Sequence, residues 1–190
     1  DAEFFMTPAF TKENSGSASD AAANGIAAAV CDDDKAAIEK AKELINLMPV
    51  NNLAPLPMFE YNEPETAVSA DFNSLINGVC DAESIIELYA EFGKASYTAL
   101  ATVNGATVGI AATNKTSDKL TDADCSKLSR FIRTCDAFAV PVITFVDTEG
   151  FDAADAISGV KSMTQLANCY AEATTAKISV ITGKAVGPAF

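Results

Sequence analysis

The stretch from Ala123 to Phe151, ADCSKLSRFIRTCDAFAVPVITFVDTEGF, constrains the fold more than any other part of the chain. Leu128, Phe131, Ile132 and Cys135 recur at three- and four-residue steps, which makes one helical face apolar. Lys127, Arg130 and Arg133 cover the other sides. Asp136-Ala137-Phe138 closes the helix, and Pro141, with no N–H to donate, forbids its continuation. Val140, Val142, Ile143, Phe145 and Val146 then form a nearly continuous β-type run, as in a parallel strand covered on both faces. The run ends at Asp147-Thr148-Glu149-Gly150-Phe151. Ligands of open α/β sheets sit beyond the carboxyl ends of the strands, so this turn is the first place to look for chemistry.

The same order repeats downstream. Asp152–Ala173 reads as a second long helix, weakened at Gly159, with Ile157, Val160, Met163, Leu166, Ala167 and Tyr170 inward. Ile178–Thr182 reads as another buried strand. Gly183–Phe190, GKAVGPAF, reads as a strand-to-helix turn. Upstream, Asp1–Pro8 has the look of a short strand, and Thr11–Gly25 is small and polar, a loop. A helix is expected from about Asp33 to Met48, with Ile38, Ala41, Leu44, Ile45 and Met48 on one face, capped by the Asp32-Asp33-Asp34 run and stopped by Pro49. Asn51–Glu65 holds three prolines and reads as a linker. A short helix is expected over Ala70–Asn77 and another from an Asp81 cap to about Glu91. Ser96–Val103 and Thr107–Thr113 alternate around Asn104-Gly105, a strong hairpin signal.

Several function classes fall away on composition. A formal charge of −13 argues against nucleic acid, because a phosphate binder needs a basic surface. No histidine is present, which removes Ser-His-Asp and Cys-His catalysis within this chain and the commonest zinc ligand, so no metal site is expected. Five scattered cysteines without a C-x-x-C pair read as reduced thiols of a cytoplasmic protein. No apolar run reaches the length of a membrane span. Chemistry must then use carboxylates, lysines, hydroxyls or the backbone. Asp147 and Glu149 read as an acid/base pair or as turn residues, with turn residues favoured. Asp136 reads as a cap or as a partner of Arg130 or Arg133. Lys184 reads as a ligand of phosphate or carboxylate or as a surface lysine.

The run RFIRTCDAFAVPVITFVDTEGF resembles the C-terminal half of biotin-dependent carboxyltransferases, the subunits of acyl-CoA carboxylases and decarboxylases. So do YAEATTAKISVITGKAVGPAF and the hairpin YTALATVNGATVGIAATN, and more weakly EFFMT and LINLMPVNN. The resemblance implies a partial crotonase-like (ClpP/crotonase) α/β carboxyltransferase fold. It implies residues 1–65 as the end of an N-terminal half-domain with a linker, and residues 66–190 as part of a C-terminal half-domain; the chain is expected to be a piece of a larger subunit. The implied reaction moves a carboxyl group between an acyl-CoA and biotin on a carrier protein. The implied partners are a biotin carboxyl carrier protein, copies of this or other carboxyltransferase subunits and, in a decarboxylase, a membrane subunit.

Carboxyl transfer needs an oxyanion held while charge shifts, and backbone N–H groups at glycine turns supply that without histidine. By resemblance, Gly150 and Phe151 of the first turn and Gly187 and Ala189 of the second bind biotin, and Gly187 and Ala189 donate to its ureido oxygen. Pro188 stands where the family has a small residue and has no N–H to give. Two other readings stay open. One is a diverged scaffold subunit without activity. The other is an acyl-CoA hydratase or isomerase, which would need a pair of acids near the thioester.

Overall fold

The computed structural model describes residues 17–116, 119–152 and 156–187. A five-stranded mixed sheet, ordered β1-β2-β3-β4-β5, is its centre. Its strands are β1 (Ile86–Glu87), β2 (Tyr97–Val103), β3 (Ala106–Ala112), β4 (Val142–Thr148) and β5 (Lys177–Ala185). Helices α1 (Ala18–Ala23), α2 (Asp34–Leu47) and α3 (Phe72–Val79) precede or flank the hairpin; α4 (Asp122–Ala137) and α5 (Ala156–Glu172) make the two crossovers.

The hairpin β2–β3 is antiparallel, and Asn104 and Gly105 both take positive φ, at 50° and 77°. That is the primed turn which matches the twist of the strands. Glycine at 105 has a second cause: an added Cβ would lie 2.3 Å from the Phe59 carbonyl oxygen. Strands β3, β4 and β5 are parallel, so their carboxyl ends share one edge of the sheet.

Helix α4 starts on a reciprocal capping box between Thr121 and Asp124, so Thr121 is the cap and Asp124 its partner three residues on. Its apolar stripe, Leu128, Phe131, Ile132 and Cys135, is buried with Leu166 and Cys169 of α5 against Ala111 and Val142 of the sheet. The opposite sheet face buries Ala99, Ala101, Ile110 and Phe145 against Leu75 and Ile76 of α3. Lys127 is buried as well, and its ammonium donates to the carbonyls of Ser96 at 2.9 Å and Gly93 at 3.3 Å. Burial, then the Lys115 ammonium, pushes Lys127 down to about 8, against the pull of Glu87 and Asp124.

Four expectations are corrected. No helix follows Asp81. Its carboxylate is drawn into the hairpin turn instead, accepting from the Thr102 hydroxyl and the Asn104 and Gly105 N–H groups, and the segment beyond becomes β1 at the edge of β2. Part of the expected loop before Gly25 is helix α1, capped by the Ser17 hydroxyl. On α2, Ile38, Ala41 and Ile45 lie exposed, and only Leu44, Leu47 and Met48 reach the core. Strand β5 is not buried: Ile178, Val180 and Ile181 are exposed, because β5 is the edge strand of the described sheet. The expected strand Asp1–Pro8 lies outside the described residues.

Candidate active site at the carboxyl ends of the parallel strands

Beyond the ends of β3, β4 and β5 lies a cleft of about 490 Å³, lined by Asp71, Asn114, Lys115, Thr148, Glu149 and Lys184 among others. The first turn leaves β4 here. Thr148 is buried, and its hydroxyl both receives the Gly150 N–H, at 3.2 Å, and donates to the Gly150 carbonyl, at 3.3 Å. Leu120 braces the turn from one side: its N–H donates to Gly150, and its carbonyl accepts from the Asp152 N–H. Alternation of peptide groups along an extended chain then directs the Phe151 N–H away from Leu120. The Phe151 side chain points inward instead, onto a cavity of about 300 Å³ shared with Leu128, Val146, Leu166 and Tyr170.

Gly150 stands at φ +107°, a conformation closed to other residues without strain. A Cβ built there would lie 3.5 Å from the Val186 carbonyl oxygen, so the second turn runs directly beside the first. Gly187 of that turn is also left-handed, at φ +64°, and the space over its Cα is open. The structure therefore brings Gly150, Phe151 and Gly187 together. Pro188 and Ala189 lie outside the described residues.

The acidic residues of the first turn are engaged by the second. Asp147 accepts the Lys184 N–H at 2.7 Å, and the Lys184 ammonium pairs with Glu149. That hydrogen bond and charge pull Glu149 below the usual carboxylate range and raise Lys184. Asp147, the penultimate residue of β4, and Glu149, just past its end, are thus both engaged by Lys184 and do not stand as a free acid/base pair. Asp136 pairs with neither Arg130 nor Arg133. It accepts from the Thr174 and Thr175 N–H groups and the Thr174 hydroxyl, joining the end of α4 to the loop before β5; these donors lower its pKa, the Thr175 N–H most. Asp33 of the DDD run caps α2 through the Ala36 N–H. Among the described residues no three His, Cys, Asp or Glu side chains converge as metal ligands. All five cysteines are unpaired, and burial pushes the Cys80, Cys125 and Cys135 thiols up to about 12.

Sequence reasoning missed Thr148, Leu120 and the structural task of Asp147. Only the task of Asp147 left a trace in the sequence: Gly183, read above as the start of a turn, lies inside β5, where a glycine can mark a bulge.

Two neighbouring parallel strands thus end in adjoining glycine turns, so this edge of the sheet offers backbone groups where α/β sheets commonly receive ligands. Residues 8–190 match the carboxyl transferase domain family, and the chain belongs to it. It is 33% identical over 186 residues to the mitochondrial propionyl-CoA carboxylase beta chain of Sus scrofa, covering 88% of this chain and 34% of that one. It is 31% identical over 186 residues to the methylmalonyl-CoA decarboxylase alpha subunit of Propionigenium modestum, covering 88% of this chain and 36% of that subunit. A transcarboxylase 12S crystal structure, described as a hexamer assembly with methylmalonyl-coenzyme A and methylmalonic acid bound, superposes with a TM-score of 0.78 at 28% identity, covering 87% of this chain and 36% of that one. The fold is the crotonase-like carboxyltransferase fold, present in part. The chain spans about a third of the length of the curated relatives it matches.

Proposed function

We propose that this chain supplies the biotin side of a carboxyltransferase site, in an assembly that moves a carboxyl group between an acyl-CoA and biotin on a carrier protein. The observation that carries this reading is the pairing of two left-handed glycine turns at the ends of neighbouring parallel strands, in a chain of the carboxyl transferase domain family. When bound, biotin supplies the ureido nitrogen that carries the carboxyl group. Donors aimed at the ureido oxygen stabilise the charge that gathers there, and they cost no reorganisation because the backbone already holds them.

The residues fit that task unequally. The Gly150 N–H is already spent on Thr148, so Gly150 serves by its conformation and by leaving the approach open. The Phe151 N–H, directed away from Leu120, is the first turn's candidate donor. From the second turn, Gly187 and Ala189 complete the set. We assign residues 1–65 to the end of an N-terminal half-domain with its linker, and residues 66–190 to a partial C-terminal half-domain. The acyl-CoA would come from a partner surface, either a copy of this subunit or another carboxyltransferase subunit, and a membrane subunit would join in the decarboxylase case. The unpaired cysteines suit a reducing compartment, and we place the protein in the cytoplasm. No helix among the described residues is long and apolar enough to cross a membrane.

Titrating the isotope-labelled chain with biocytin tests the reading. Saturable amide shifts are expected at Phe151 and Gly187. Shifts elsewhere only, or none up to millimolar ligand, refute it. The scaffold reading draws support from Pro188, which removes one N–H from the second turn. It predicts no biocytin response together with an intact fold.

A further inference from the structure

The ladder between β4 and β5 is not continuous. From Val142↔Lys177 to Val146↔Ile181 each residue faces one partner. The next pair is Thr148↔Ala185. One residue of β4, Asp147, therefore stands opposite three of β5: Thr182, Gly183 and Lys184. Two extra residues are accommodated in β5.

That bulge decides what meets what at the site. In an unbroken ladder the partner of Thr148 would be Gly183, and Gly187 would fall level with Asp152. With two residues absorbed, the second turn is drawn back by about 6–7 Å along the strand. Gly187 then comes level with Gly150, in agreement with the Val186 carbonyl beside it.

Asp147 holds the bulge. Its carboxylate accepts the Lys184 N–H at 2.7 Å, a backbone donor the interrupted ladder would otherwise leave to water. It lies directly over Gly183, where an added Cβ would sit 2.3 Å from both the carboxylate carbon and one of its oxygens. So position 183 must be glycine for the carboxylate to enter. The Asp147 N–H in turn donates to the Thr113 hydroxyl at 3.1 Å, which ties the clasp to the end of β3. The Thr182 hydroxyl closes the other flank on the Val146 carbonyl, at 3.4 Å.

We infer that Asp147 is a positioning residue for carboxyl transfer: its clasp on the Gly183–Lys184 bulge sets the register that brings the Gly187 turn level with the Gly150 turn. The carboxyl-transfer part of this rests on the function proposed above; the register does not.

The test uses three variants. Asp147→Ala removes the clasp. Asp147→Asn keeps an oxygen acceptor. The third combines Asp147→Ala with deletion of Thr182 and Gly183; taking out two residues preserves which face each side chain occupies and restores the spacing without a bulge. Cross-strand contacts by nuclear magnetic resonance and exchange of the Lys184 amide report the register, and turnover in the native assembly reports the site. With Asp147→Ala, the Thr148–Ala185 contact should give way to Thr148–Gly183 and Lys184 protection should fall at least tenfold. Turnover should drop about 100-fold, as for a reacting geometry displaced by an ångström or more. Asp147→Asn and the deletion variant should both recover the Thr148–Ala185 contact and most of the turnover. Persistence of that contact and of Lys184 protection in Asp147→Ala overturns the inference, as does an Asp147→Asn variant that behaves like alanine. If Asp147→Ala does not fold, failure of the deletion variant to recover the contact overturns it instead. A register that moves as expected in a protein with no carboxyl transfer would leave the clasp standing and remove the proposed function.

Discussion

Lys127 offers a sharp test of the packing. The side chain is 1% exposed, yet it ends in a group that is charged at neutral pH when in water. Folding lowers its pKa from 10.5 to about 8, with burial the largest cause. Between those values the unfolded chain binds more protons than the folded one, so stability rises with pH. Taking the two pKa values, the lysine contributes a gain of about 1.3 kcal/mol between pH 7 and pH 9. Three thiols oppose it. Cys80, Cys125 and Cys135 are raised from 9.0 to about 12, so their contribution is complete well below pH 9, begins to be lost near pH 9 and is gone once pH passes about 12. At pH 9 each costs about 0.4 kcal/mol, and together they nearly cancel the lysine. The wild-type protein should therefore show almost no net change, and the lysine must be read by difference. Urea denaturation of wild type and Lys127→Met, under reducing conditions at pH 7, 8 and 9, isolates it. The wild type should gain about 1.3 kcal/mol on the variant over that range. A difference constant to within about 0.3 kcal/mol would show that the ammonium is solvated in the folded protein, and the reasoning from burial would fail.

Two further substitutions probe the hairpin and the helix layer. Asp81→Ala strands the Asn104 and Gly105 N–H groups and the Thr102 hydroxyl, and should cost about 3 kcal/mol by urea denaturation, with Asp81→Asn losing roughly half as much. A loss under about 1 kcal/mol would mean that water replaces the carboxylate freely. Gly109→Val places a side chain 2.6 Å from the Cys135 sulfur and against Phe131, and should cost about 2–3 kcal/mol. Cys135→Ala in the same chain should relieve part of that cost, and strict additivity of the two would contradict the contact.

Local signals carried most of the fold because they coincide with tertiary demand. Asn104-Gly105 supplies the positive φ values that its hairpin needs, and the stripe of α4 is the stripe it buries. The misreadings arose where a long-range partner competed with a local one. Asp81 looks like a helix cap from its neighbours alone, but the donors it meets are on residues 102, 104 and 105, and they are worth more than a single N-terminal bond. Asp136 likewise finds two peptide N–H groups nearly forty residues away in place of the arginines one and two helical turns back. Exposure of β5 and of Ile38 and Ile45 on α2 was illegible for another reason. Composition records that a strand or helix is fit to be covered, whereas the cover itself belongs to other elements. At the site, the turns were legible as glycines after β-type runs. Their alignment was not, because register is a relation between two strands, and Gly183 marks only one side of it.

That alignment also explains why the bulge sits where it does. Extra residues in a central strand would disrupt ladders on both sides, but β5 is the edge of the described sheet and has only β4 to satisfy. There the two added residues break one ladder, and the loss is repaired locally by the Asp147 carboxylate. The same kink limits what the outer edge of β5 can receive. A strand laid along it could pair regularly beside Lys177–Ile181 and would lose register at Thr182. A strand that pairs with that edge is therefore limited to the amino-terminal half of β5, away from the glycine turns. The exposed Ile178, Val180 and Ile181 fall within that half. The bulge thus separates a stretch fit for packing from a turn that must stay open to a ligand.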